Sequence, residues 1–110
     1  MSQTIAIILR IKAERADEFE RLFEEQELPI WRDFAAQGKF INASLTRAQE
    51  QPEHRSDVQD FILHVEVPSM REHSEHDDEP RFKVMLERAQ DLHAAEPLVW
   101  FGNTRFREPA

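Results

Sequence analysis

The sequence predicts an α+β fold in which helices cover one face of a four-stranded antiparallel sheet. Apolar residues recur at every second position in stretches near residues 4–12, 40–47, 58–67 and 98–106, the spacing of strands. Two intervening stretches, near 13–37 and 70–92, repeat apolar residues at three and four, the spacing of one helix face. Pro29, Gly38, Pro68, Pro80 and Pro97 punctuate the boundaries. The order is strand, helix, strand, strand, helix, strand.

The first strand carries Ile5, Ile7, Leu9 and Ile11 on one side and Ala6 and Ile8 on the other, so both its faces are expected to be covered. The helical stretch after it aligns Ala16, Phe19, Leu22 and Phe23, then Ile30, Phe34 and Ala35. Pro29 lacks an N–H and clashes with the carbonyl four residues back, which predicts a kink or a restart near Leu28. Gly38 suits the left-handed residue that closes a helix. The second strand alternates Ile41, Ala43 and Leu45 with Phe40, Asn42, Ser44 and Thr46, a pattern expected near a sheet edge. Residues 48–57 are polar and predict a mobile loop containing His54.

The third strand, VQDFILHVEV, places Phe61, Leu63, Val65 and Val67 on one face, with Ile62, His64 and Glu66 on the other. Pro68 ends it. Ser69 and Glu72 have the spacing of a capping box for a short helix running to His76. Asp77-Asp78-Glu79-Pro80 breaks that helix and starts the next, whose predicted buried stripe is Phe82, Met85, Leu86, Ala89 and Leu92. Pro97 is expected to close the helical region, and residues 98–106 to form the last strand with a bulge or close approach at Gly102. Right-handed crossovers then give the ferredoxin-like βαββαβ arrangement. Because the strands are apolar on both faces and helices cover one, a twofold copy of the sheet is the simplest cover for the other.

Composition bounds the function. The 110 residues suit one domain. A net charge of −8, from 22 acidic and 14 basic residues, argues against nucleic acid or an anionic membrane as partner. There is no cysteine, which excludes disulfides, thiolate catalysis and cysteine zinc sites. No apolar run reads as a signal peptide or a membrane span, so a cytoplasmic location is expected.

Residues 61–67 (FILHVEV), the Ser69-led helix with His73 and His76, the Glu79-Pro80-Arg81-Phe82 entry to the last helix and the closing strand resemble the dimeric α+β barrel superfamily, which includes the antibiotic-biosynthesis-monooxygenase-like proteins. The resemblance covers nearly the whole chain. It implies two sheets packed face to face as a homodimer, with a pocket between each sheet and its own helices. It also implies chemistry of the cofactor-free, quinone-forming kind on a small organic, aromatic or polyketide-like molecule. The heme-degrading members use an asparagine on the first strand and a tryptophan before the second helix; this chain has neither, reading Val67-Pro68 at that junction. Pro29-Ile30-Trp31 is similar to a segment of the sugar mutarotases, but their preceding histidine is replaced by Glu27-Leu28.

His64, an imidazole on a central strand, is the candidate general base or substrate-orienting group; its plainer reading is a histidine hydrogen-bonded across a dimer or to a helix. Trp31 and Trp100, with Phe34, Phe40, Phe61 and Phe101, are candidates to line an aromatic pocket, or to form core. Asn42 and Arg10 are candidates to point a substrate carbonyl or anion, with Glu66 beside His64 as a further pocket residue. His73 and His76 share a helix face and are weak metal candidates, since HxxH alone does not make a site. His54 and His93 read as solvated. No cofactor motif is present, so oxidation would proceed without bound flavin or metal. The other reading is a non-catalytic dimeric module that binds a small ligand or assembles.

Overall fold

The structure, a computed structural model, describes residues 2–53 and 55–109; the expectation for His54 therefore lies outside the described residues. Strand β1 (Gln3–Lys12) leads through a 3-10 turn into helices α1 (Ala16–Gln26) and α2 (Leu28–Ala36). Strands β2 (Asn42–Arg47) and β3 (Val58–Val67) follow, then helices α3 (Met70–Asp77) and α4 (Pro80–Ala89), and strand β4 (His93–Asn103). The sheet order is β2-β3-β1-β4 and every neighbouring pair is antiparallel. This is the predicted ferredoxin-like α+β arrangement.

The helical stretch expected over 13–37 restarts at Leu28, where Pro29 predicts a kink or a restart. The N–H of Glu27 still reaches the Phe23 carbonyl at 2.8 Å and that of Trp31 reaches the Glu27 carbonyl at 3.0 Å, so the two halves run on with little break. Gly38 takes a φ of 72°, and the Lys39 N–H returns to the Phe34 carbonyl at 2.9 Å. At α3, the Ser69 hydroxyl accepts from the Arg71 N–H at 3.3 Å and donates to the Glu72 carboxylate at 2.5 Å. The serine and glutamate of the expected capping box thus bond each other directly.

Period two sorts the sheet into two faces. Register pairs Ile5 with Val65, Ile7 with Leu63 and Leu9 with Phe61. The helices pack on this face, burying Ile11, Phe19, Phe23, Phe61, Met85 and Leu92 in one cluster and Ile5, Val65 and Val67 in another. The other face carries Ala6, Ile8, Ile62, His64, Leu98 and Trp100, paired as Ala6 with His64 and Trp100, and Ile8 with Ile62 and Leu98. There Ile62 is 41% exposed and Trp100 58%.

Three local expectations are corrected. Strand β4 begins at His93 and ends at Asn103, so Pro97 lies inside it. The register slips between Ile8–Leu98 and Arg10–Ala95, leaving Pro97 in an irregular stretch of an edge strand where no ladder N–H is required of it. Gly102 pairs regularly with Thr4, and a Cβ built there would meet nothing within 4 Å, so it is neither bulge nor close approach. Leu86, expected in the buried stripe, is half exposed, whereas Met85, Ala89 and Leu92 of the same stripe are buried.

The residues after β4 fold back over the end of the sheet. The Thr104 N–H donates to the Ser2 carbonyl at 3.0 Å. Glu66 accepts from Arg107 Nε at 3.0 and 3.1 Å, from Asn42 Nδ2 at 3.1 Å and from Ser2 Oγ at 2.5 Å. These donors, the serine first and then Arg107 and Asn42, hold the Glu66 carboxyl below its ordinary value against the opposing effect of desolvation. A carboxyl depressed in the folded state contributes stability above its unfolded value, and loses it as pH falls through the folded value. Arg107→Ala should therefore cost about 1 kcal/mol at pH 7. The cost should shrink as pH is taken below about 4, measured by urea midpoints at several pH values.

Candidate active site

A cavity of about 670 Å³ opens between the sheet and the helices. Its floor is the helix-facing side of β1 and β3, including Ile5, Ile7, Leu63 and Val65, and its walls include Phe23, Trp31, Phe40, Phe82 and Met85. Into this apolar lining project Glu27, His73, His76 and Asp77 from one side and His93 from β4. A volume of this size, largely apolar with few polar groups, suits a small organic ligand.

The chemistry concentrates at Glu27 and His76. Glu27 sits at the junction where Pro29 forces α1 to end and α2 to begin, and it is only 2% exposed. His76 lies in the last turn of α3, also buried, and its Nε2 bonds to Glu27 Oε1. Aromatic rings hold the imidazole: Phe82 at 4.2 Å, Phe34 at 5.8 Å and Phe40 at 5.9 Å between centroids. Burial by itself lowers the affinity of this imidazole for its proton. The bond to Glu27 and its charge, with Asp77 adding to both effects, overcome that, and the net shift is upward. The second carboxylate oxygen of Glu27 is buried with no partner among the described residues. The pair is thus a proton-holding unit set in a low-dielectric wall, the environment in which acid–base groups act most strongly.

Asp77 extends the cluster: its Oδ1 lies 3.5 Å from His76 Nδ1 and its Oδ2 lies 3.3 Å from His73 Nε2. His73 rests against the Phe101 ring at 5.3 Å. His93, read as solvated, instead opens β4 half-buried in the cavity wall; desolvation lowers its imidazole, opposed by Glu96.

The structure separates the residues singled out by sequence. Trp31 lines the cavity, set edge-on to Phe23 at 5.1 Å and Phe40 at 6.3 Å. His64, Asn42, Arg10, Glu66 and Trp100 do not line it; the strand alternation carries them to the opposite face. There Arg10 pairs with Glu53 at 3.2 Å and lies 3.8 Å from Asp60, and Asn42 is engaged with Glu66. The correction is one of face: a cavity between sheet and helices is reached from Leu63 and Val65, not from His64 between them. His73 and His76 do share one wall, but no group of three or more histidine, cysteine, aspartate or glutamate side chains among the described residues is arranged to hold a metal. Sequence reading passed over Glu27. Its signal was a glutamate on the apolar side of a helical junction, immediately before Leu28-Pro29.

No family model matches the chain, and no curated protein matches it in sequence. Solved structures do. The Mycobacterium tuberculosis protein Rv0793 superposes with a TM-score of 0.77 at 10% identity, over 98% of this chain and 99% of that one. A candidate antibiotic biosynthesis monooxygenase from Caulobacter crescentus gives 0.75 at 18% identity, over 96% and 91%. A variant of SnoaB, a cofactor-independent oxygenase from Streptomyces nogalater, gives 0.68 at 15% identity, over 99% and 98%. The chain has the antibiotic-biosynthesis-monooxygenase-like fold. At these identities the likeness is one of architecture, and it agrees with the resemblance carried by the third strand and the Ser69-led helix. Within the antibiotic-biosynthesis-monooxygenase-like fold, the groups available for chemistry have to be read from this chain's own cavity. Among the described residues, no helix is long and apolar enough to cross a membrane.

Proposed function

We propose that the chain is a cofactor-independent, monooxygenase-like enzyme that oxidises a small, flat, largely apolar molecule in the cavity between its sheet and helices. One observation carries this reading: a buried imidazole–carboxylate pair, His76 and Glu27, set in the wall of an apolar cavity of about 670 Å³. A carbon acidified by a neighbouring carbonyl or phenol gives its proton to this pair, which takes it up as a unit. The resulting anion is rich enough in electrons to reduce oxygen. One oxygen atom bonds to carbon and the other leaves as water, so that a CH₂ group and O₂ become a C=O group and H₂O. All the electrons come from the substrate. Trp31 and Phe40 supply flat walls that orient an aromatic ring.

Oxygen uptake with a panel of quinols and hydroxylated polycyclic ketones tests the reading. Uptake with one oxygen incorporated into product supports it. Tight binding of the same compounds without uptake points instead to a ligand-binding module that performs no reaction.

The reading includes a homodimer. The outer sheet face, with Ile62, Leu98 and Trp100 exposed around His64, is apolar enough to need a cover. A second copy of the same face is self-complementary by symmetry. Ile62→Asp should therefore convert a particle of twice 13.0 kDa into one of 13.0 kDa in sedimentation, with the helix-side cavity intact. A wild-type chain that sediments at 13.0 kDa at micromolar concentration would remove this part of the proposal.

A further inference from the structure

We propose that Asp77 and His73 connect the buried Glu27–His76 pair to solvent as a proton relay. The inference builds on the reading of that pair as the proton acceptor, and it assigns work to two residues which that reading leaves idle.

Four titratable groups of alternating type form a chain. Glu27 bonds His76 Nε2; His76 Nδ1 faces Asp77 Oδ1 at 3.5 Å; Asp77 Oδ2 faces His73 Nε2 at 3.3 Å. Side-chain exposure rises from Glu27 (3%) through His76 (11%) to Asp77 (48%), and His73 beside Asp77 is 19% exposed. The chain therefore begins in the dry wall of the cavity and meets water at Asp77, with the partly sheltered His73 beside it. Histidine suits the middle position because its two ring nitrogens can gain a proton on one side and release one on the other. The sequence spacing makes this possible. His73 and Asp77 are four apart and share a helix face, while His76 adjoins Asp77 and reaches across to the α1–α2 junction.

The proton count closes. A proton taken from substrate enters at Glu27–His76, the Nδ1 proton of His76 passes to Asp77, and Asp77 releases one to water directly or through His73. When reduced oxygen leaves as water, the path runs in reverse and returns a proton. No group in the chain ends the cycle with a changed charge. Asp77 is thus a positioning and relay residue and not one that touches the reacting carbon. The charged groups around His76 are Glu27 across the helix junction, Asp77 beside it and Glu79 in the turn that follows.

The test uses the full-length chain and the variants Asp77→Asn and Asp77→Glu, with the imidazole resonances of His73 and His76 followed by NMR from acid to alkaline pH. In Asp77→Asn, His76 should release its proton at lower pH, and its ring N–H should exchange with water more slowly. Asp77→Glu should restore the wild-type pattern. A His76 titration and ring-proton exchange unchanged in Asp77→Asn overturns the relay. Turnover separates the two proposals. If oxidation is found, kcat of Asp77→Asn should fall about ten- to a hundred-fold at low buffer with KM unmoved, and added imidazole should rescue it. Oxidation that continues unaltered in Asp77→Asn retains the oxygenase and rejects the relay. The NMR signatures without any oxidation retain the relay and reject the oxygenase.

Discussion

A His76→Phe variant should lose about 10²–10⁴-fold in kcat, the range set by removing a positioned acid–base group. Oxygen uptake against the best substrate of the panel measures it. The phenyl ring fits the nest formed by Phe34, Phe40 and Phe82, so packing survives. Stability does not survive unchanged, because Glu27 is left buried with neither oxygen satisfied. That costs about 1–3 kcal/mol or more. Replacing both members, as Glu27→Leu with His76→Phe, removes the stranded carboxylate and should recover most of the stability without recovering turnover. The double variant thus separates the two roles: a loss of kcat that returned along with stability would mean that the pair only holds the fold.

The same pair gives a pH signature. The imidazole of His76 is raised in the folded state, so its contribution is fully present below the ordinary histidine value near 6.5 and is lost as pH climbs through the raised one. Glu27→Gln keeps the shape and a hydrogen-bonding oxygen but removes the charge. The stability gap between wild type and Glu27→Gln should be widest on the acid side of about 6.5 and narrow above it.

The largest stability effect should come from Phe19→Ala. Phe19 is almost fully buried on α1, its ring 5.0 Å from Phe61 of β3 and 6.0 Å from Phe23. It joins helix to sheet at the centre of the larger core cluster. Loss of the ring costs about 3–5 kcal/mol, against a total of roughly 5–15 kcal/mol for a typical domain. A fall in Tm of at least about 12 °C should follow in calorimetry. Because Phe19 also lines the cavity, ligand affinity should fall as well. A loss below about 1 kcal/mol would mean that the helices are not seated on the sheet through this residue.

Much of this architecture was legible because it is local or periodic. Alternation at β1 and β3, the helical repeats, the restart at Pro29 and the left-handed Gly38 each depend on residues within a turn or two of one another. Errors arose where context overrides local rules. Pro97 reads as a stop, yet an edge strand with an irregular register accepts it. Leu86 reads as buried, yet it lines the open cavity and stays half exposed there.

The site divides the same way. Parity already set His64 apart from Leu63 and Val65 in the sequence. What parity could not say is which face of the sheet the helices would cover, and with it which face would hold a cavity. Only the tertiary fold brings Glu27 to His76, 49 residues away along the chain, and walls both with aromatic rings. Short-range sterics and apolar spacing determine strands, helices and their order. A proton-holding pair depends on two distant backbones meeting in a dry place, and that is decided by packing in three dimensions.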